Sequence, residues 1–251
     1  MTAEKHAAKV ARRHTVYKNK IGERVPGTTT VTGVMDKPAL KRWANRLGLE
    51  GIEVDKYVDE LATVGTLAHY LIECHCTGEK PDTDRYSKAQ LDLAENSVIK
   101  WMMWQDSVGF VPEHNELELV SEMYQFGGTL DIIGRLTKRN NVRALVDIKT
   151  CKGIYGEHKT QVAGGYGILA REHRGLIGLV DTVIITRVGR NADEGFEEVV
   201  ISDSERLIHE KRFAICRELY AINSAIESGS EYNPLVMGFS RDNFLGMRED
   251  Y

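Results

Sequence analysis

The stretch GGTLDIIGRLTKRNNVRALVDIKT, residues 127–150, decides the fold. Two alternating runs, 126–137 and 142–150, flank the turn-prone Arg139-Asn140-Asn141 and read as a β-hairpin. Leu130, Ile132, Leu136, Val142, Ala144, Val146 and Ile148 all fall at even positions, so one face of both strands is apolar and packs on a core. The odd positions carry Asp131, Asp147 and Lys149. A turn over 139–141 with one left-handed Asn pairs Leu136 with Ala144, Ile132 with Ile148, and Asp131 with Lys149, leaving Asp147 diagonal to Asp131 on the same face. A turn one residue shorter or longer would send Asp131 to the opposite face unless a bulge restored the register.

Two carboxylates converging beside Ile133 and Leu145 repel each other unless a cation or a proton joins them, and oxygen ligands of this kind suit Mg2+ or Mn2+. The alternative is a solvated strand face on which Asp131 and Lys149 form an ordinary cross-strand ion pair. The order Gly65-Thr66-Leu67-Ala68-His69, Gly128-Thr129-Leu130-Asp131, Asp147-Ile148-Lys149-Thr150, then Gln161 with Tyr166, resembles the PD-(D/E)XK nuclease superfamily. Within it, the chain is most similar to the RecB-like branch of phage recombination exonucleases and CRISPR-associated iron-sulfur nucleases. The resemblance covers residues 27–186. It implies an α/β fold of the restriction-endonuclease type, with a central mixed β-sheet flanked by helices. It also implies that Asp131 and Asp147 bind metal, that Ile148 adds its backbone carbonyl, that Lys149 assists the attacking water, and that His69 is a further ligand.

Read from the residues alone, His69 lies in a helical run over 54–78 whose Val58, Leu61, Ala62, Leu71 and Ile72 supply an apolar stripe, with Glu73 one turn further on the same face. Such a pair supports a metal site, or is a hydrogen-bonded couple on a helix surface. Gly65-Thr66 interrupts the run and marks a close approach to the sheet, a contact from Thr66 to substrate backbone, or a packing notch. Residues 110–121 read as the preceding strand. Glu118 best matches the family's glutamate, with Glu116 the competing choice. Glu157 to Arg171 reads as a helix crossing behind the sheet, bringing His158, Lys159, Gln161 and Tyr166 towards the metal. The family spaces its Gln and Tyr by four residues. Here they are five apart, which on an α-helix separates them by about 140°, and Gly164-Gly165 offers a place where the turn can distort.

The helix Pro38 to Leu47 carries Lys41, Arg42, Trp43 and Arg46, a set that grips and stacks on a nucleic-acid strand or, for Trp43, packs in the core. Residues 86–106 read as a helix with Trp101 and Trp104 as packing residues, 176–186 and 195–201 as two more strands, and 204–228 as a final amphipathic helix. Residues 1–25 form a basic arm that contacts phosphates or simply keeps the terminus solvated, and 230–251 form a tail that docks on this chain or a neighbour. Between them, 26–229 make one domain without repeats or an ATPase phosphate loop.

With 251 residues and 42% hydrophobic content, the chain can bury one substantial core without disulfides. Cys74, Cys76, Cys151 and Cys216 lack a closed zinc spacing, and no apolar run approaches the length of a membrane span, so a cytoplasmic location is expected, the host's if phage-encoded. With only Cys216 beyond the core motifs, no iron-sulfur cluster is expected. The net charge of −4 leaves nucleic-acid affinity to local basic patches. The reading is a Mg2+- or Mn2+-dependent DNA exonuclease acting on duplex ends and leaving 5′-phosphates. A homo-oligomer and a single-strand annealing protein are the partners implied by the resemblance. A flap or structure-specific endonuclease and a catalytically silent nucleic-acid-binding module are the alternatives.

Overall fold

The computed structural model describes residues 15–232, so Lys5, Lys9, Arg12 and Arg13 of the basic arm and Pro234 to Leu245 of the tail lie outside the described residues. The chain begins with a short antiparallel pair, β1 (Tyr17–Lys18) and β2 (Arg24–Val25). Four helices follow: α1 (Thr28–Thr32), α2 (Pro38–Leu49), α3 (Val54–Thr77) and α4 (Lys88–Val108). The start of α4 is written in sequence, because Ser87 accepts from the Gln90 amide while the Gln90 side chain accepts from the Ser87 amide. Then come β3 (Phe110–Ser121), β4 (Phe126–Leu136) and β5 (Val142–Lys149). A crossover of α5 (Gly156–Lys159), a π-helical segment (Thr160–Tyr166), α6 (Gly167–Glu172) and α7 (Arg174–Ile177) leads to β6 (Thr182–Val188), β7 (Phe196–Ile201) and α8 (Asp203–Ser228).

The five long strands form one mixed sheet in the order β3-β4-β5-β6-β7. All neighbours are antiparallel except β5 and β6, which the helical crossover makes parallel. The expected α/β architecture, a mixed central sheet between helices, is therefore present. Among the described residues no helix is long and apolar enough to cross a membrane.

The hairpin register differs from the expected one by two residues. Leu136 pairs with Val142 and Ile132 with Val146, around a connection of residues 137–141. Both Asn140 (φ 55°) and Asn141 (φ 56°) are left-handed, and the Val142 amide donates to the Arg139 carbonyl, which is the primed turn that strand twist favours. A shift of two preserves parity along the paired residues, although Asp131 lies beyond the last pair and does not pair with Lys149.

Both faces of the sheet are covered. Ile132, Leu136, Ala144, Val146 and Ile148 meet Ile72, Trp101 and Trp104 from α3 and α4. The odd face is not left to solvent, since Ile133 and Leu145 are buried with Val162, Ile168 and Phe213 from the crossover and α8. Leu130 breaks the expected parity and sides with Ile133 rather than Ile132. The strand changes face at Asp131. In β3 the register is displaced between Pro112 and His114, and Glu116, between the pairs Asn115–Ile132 and Leu117–Leu130, takes a left-handed φ of 49°.

Two further expectations need correction. In α3 the buried residues are Val64, Leu67, Ala68, Tyr70, Ile72 and Cys74, while Val58 and Ala62 are exposed. The strand expected over 176–186 starts only at Thr182. Leu176 and Ile177 belong to α7, which Gly178 ends with a φ of 77°.

Candidate metal centre

The change of face at Asp131 brings side chains from three elements to one point. His69 of α3, Glu116 of β3 and Asp131 of β4 each offer a ligand atom, and these atoms lie within 4.8 Å of one another. His69 Nδ1 is 3.7 Å from Asp131 Oδ2 and 4.0 Å from Glu116 Oε1. The last β4–β5 pair is Ile132–Val146, and just beyond it the Ile148 amide donates to Asp131 Oδ2 at 2.8 Å, so a carboxylate oxygen takes the place of the next ladder carbonyl. Gly65 allows α3 to come this close, since a Cβ there would sit 2.9 Å from Thr150 Oγ1, just past the end of β5. That is the close approach between helix and sheet that the sequence suggested.

A small pocket beside the group is lined by Glu73, Asn115 and Ile148 as well as the three ligand candidates. Sequence reasoning missed Asn115. Its Oδ1 is buried and has no hydrogen-bond partner among the described residues, so it is a further oxygen available at the site. Of the two glutamates the sequence offered, Glu116 is the one in the compact group. Glu118 pairs with Thr129, whose hydroxyl bonds the Tyr17 phenol at 2.8 Å, and it lies outside the compact group. Strand alternation put both glutamates on one side of β3, and no sequence pattern marked the left-handed residue that distinguishes them.

Asp147 is not part of the compact group either. It is 1% exposed, and Lys149 Nζ donates to its Oδ1 at 3.0 Å. The ammonium also lies 2.8 Å from Oδ2 but without hydrogen-bond geometry, which leaves that oxygen with no hydrogen-bond partner among the described residues. Burial raises the Asp147 carboxyl to about 6 against the pull of Lys149, and the charge of Asp131 adds to the rise. For Lys149, burial pulls the ammonium down, but Asp147 and Asp131 more than reverse this, so its pKa lies above the ordinary value and it stays charged. Ile148 contributes the amide that holds Asp131, and its side chain faces α3 and α4.

The five-residue Gln161–Tyr166 spacing is absorbed by the π-helical segment, whose wider turn accommodates one extra residue. Gln161 Nε2 donates to Tyr166 Oη at 2.8 Å, so the two share a face after all. Burial, then the charges of Asp147 and Asp131, hold the Tyr166 phenol well above its usual pKa. It is therefore a protonated neighbour of both carboxylates.

The proposed nucleic-acid contacts are distributed unevenly. Arg42 and Arg46 are exposed on α2, Lys41 is 2.6 Å from Asp36, and Trp43 packs against Tyr57 of α3 with ring centroids 6.2 Å apart. The Thr66 hydroxyl donates to the Ala62 carbonyl within α3. Lys159 is tied to Glu205 at 2.7 Å. Burial lowers His158 to about 4, with the nearby Lys149 charge adding to the effect. Arg187 and Arg190 are buried and paired with Glu197 and Glu194.

No protein-family profile and no curated protein matches this sequence. Among solved structures, one titled "Crystal structure of SSO0001" is similar over 62% of this chain and 84% of its own, at 15% identity and a TM-score of 0.31. So limited an overlap leaves the function to be argued from the residues of this chain.

Proposed function

We propose that the chain is a divalent-metal-dependent deoxyribonuclease that degrades DNA from duplex ends and leaves 5′-phosphates, as the PD-(D/E)XK-like motifs imply. The observation that carries this reading is the convergence of His69, Glu116 and Asp131 beside the buried Asp147–Lys149 pair. One imidazole and two carboxylates within 4.8 Å form a donor set that suits Mg2+ or Mn2+. The fit is supported by Asn115, whose buried Oδ1 lacks a hydrogen-bond partner among the described residues, and by Asp147, a buried acid raised to about 6 that a nearby cation would ionise. Bound by His69, Glu116 and Asp131, the cation would polarise a phosphodiester and lower the pKa of the attacking water.

The protein's own groups then have definite tasks. Lys149, held charged by two carboxylates, orients the nucleophilic water and stabilises negative charge growing on the phosphoryl oxygens. Asp147 fixes the Lys149 ammonium through Oδ1. The protonated Tyr166 phenol, which accepts from Gln161 Nε2, keeps a neutral hydroxyl near both carboxylates. Cooperation with a single-strand annealing protein would follow from the same reading.

The test is cleavage of 5′-labelled linear duplex, linear single strand and closed circular DNA, with Mg2+ or Mn2+ and with chelator. The reading expects nucleotide release from linear duplex only with metal, and a loss on the order of 10³-fold in Asp131→Asn. Absence of cleavage on every linear substrate would remove the nuclease reading, and nicking of closed circles without end preference would replace exonuclease by endonuclease.

A further inference from the structure

A cavity of about 400 Å³ opens between β2 and the C-terminal half of α8, and it shares no residue with the candidate metal centre. Arg217 of α8 lines it and is 8% exposed. Its Nε donates to the Gln125 carbonyl at 3.1 Å, and its guanidinium carbon stands 5.7 Å from the centroid of the Tyr220 ring. Holding the β3–β4 turn takes Nε alone. Nη1 is buried with no hydrogen-bond partner among the described residues. Burial pulls the guanidinium below its ordinary pKa, against the opposing effects of Tyr220 and Glu218, yet arginine stays charged. A buried cation without a bonded counterion carries an unrelieved desolvation cost, which an anion reaching it would offset. The rest of the lining has one further arginine, Arg24, and one acid, Glu231, both exposed, so positive charge is in excess.

We propose that this cavity binds a small phosphate monoester of about nucleotide size, with its phosphate on the Arg217 guanidinium. The planar fork of a guanidinium matches phosphate oxygens in pairs, and the hydroxyls of Ser224 and Ser230 line the same space. A carboxylate alone would fill little of about 400 Å³, whereas a phosphate carrying a sugar and a base suits a cavity of this size. Tyr232, 38% exposed at the lining, offers a ring on which a base can stack. The site is independent of the reaction proposed above. Gln125 stands just before β4, and Asp131 is five residues into that strand from Phe126, about 17 Å along it.

The test is a magnetic-resonance titration of the nitrogen-15-labelled full chain, with chelator present, using deoxyadenosine 5′-monophosphate, deoxyadenosine and inorganic phosphate as probes. The Arg217 Nε–H signal, assigned by its loss in Arg217→Lys, should shift and saturate with the monophosphate and stay in place with deoxyadenosine. Arg24→Gln, at an exposed side chain, should weaken binding on the order of 10-fold. Ala221→Glu puts a carboxylate in the cavity one helical turn from Arg217 and should abolish binding, whereas Glu231→Gln removes the lining's one acid and should tighten it. No shift at millimolar monophosphate, equal shifts with deoxyadenosine, or binding indifferent to both Arg24→Gln and Ala221→Glu would each overturn the proposal. Inorganic phosphate binding as tightly as the nucleotide would overturn the nucleotide-sized ligand. An Arg217 signal that ignores phosphate but moves when residues 233–251 are removed would assign the cavity to this chain's own tail instead.

Discussion

Glu116 combines a proposed ligand position with a backbone conformation that non-glycine residues avoid, at a cost of about 1–2 kcal/mol. Replacing it by Gly and by Ala removes the carboxylate in both cases but relieves the backbone only in the first. Glu116→Gly should therefore melt above Glu116→Ala by about 2–4 °C per kcal/mol relieved, while both lose metal-dependent cleavage. Equal melting temperatures would show that the left-handed residue is unstrained. His158 gives a pH prediction. Its Nδ1 accepts from the Tyr155 amide at 3.2 Å, which requires that nitrogen to be unprotonated, and burial lowers its pKa from 6.5 to about 4. Between these values the unfolded chain binds the proton and the folded one does not, so the contribution to stability is complete above pH 6.5 and is lost as the pH falls towards 4. The melting-temperature advantage of the wild type over His158→Gln should shrink across that window, and a constant difference would contradict the assignment. At this scale the sequence placed some residues of the candidate site but not all of them. Asp131, Asp147, Lys149 and His69 are legible because strand alternation and helix periodicity place them. Glu116 and Asn115 are not, because their roles depend on one left-handed residue and a displaced register in β3.

Among the elements, the hairpin and the crossover show why parity survived where register did not. Asn140 and Asn141 both adopt the left-handed turn conformation, which moves the pairing by an even number and leaves the paired side chains from Ile132 to Val146 on their expected faces. The π-helical segment was signalled only by the five-residue Gln161–Tyr166 spacing and the Gly164-Gly165 pair, since its 160–166 backbone packs against α8 and α1. Gly164 and Gly165 reveal that packing. A Cβ on Gly164 would fall 2.5 Å from the His209 carbonyl oxygen and 2.7 Å from Phe213 Cβ, neither of which can swing aside. Alanine is the better helix former by about 1 kcal/mol, so propensity alone favours Gly164→Ala. The clash should prevail, with a net destabilisation of about 1–2 kcal/mol and weaker cleavage as Gln161 and Tyr166 shift. Gly175→Ala in α7 is the control, because nothing lies within 4 Å of its Cβ and its melting temperature should hold or rise. Equal effects of the two substitutions in thermal melts would show that the π segment is not locked by α8.

Across the whole molecule, the proposed metal centre lies where the layers on the two faces of the sheet come together. His69 arrives with α3 and α4 on one face, Tyr166 and Gln161 with the crossover on the other, and Asp131 stands at the point where β4 changes sides. Without a cation, Glu116 and Asp131 crowd their charges together, while Asp147, raised to about 6, carries the cost of a buried carboxylate. A cation bound by α3, β3 and β4 together would relieve that repulsion and join one helical layer to the sheet, and it binds only the folded chain. Mn2+ or Mg2+ at about a hundredfold excess over its Kd should therefore stabilise the fold by about 2.7 kcal/mol and raise the melting temperature by about 5–10 °C. Chelator should reverse the shift. Asp131→Asn and Glu116→Gln should abolish it, whereas Glu118→Gln, altering a carboxylate outside the compact group, should keep it. A shift that survives Asp131→Asn would place the cation elsewhere, and one lost with Glu118→Gln but kept with Glu116→Gln would reverse the choice between the two glutamates.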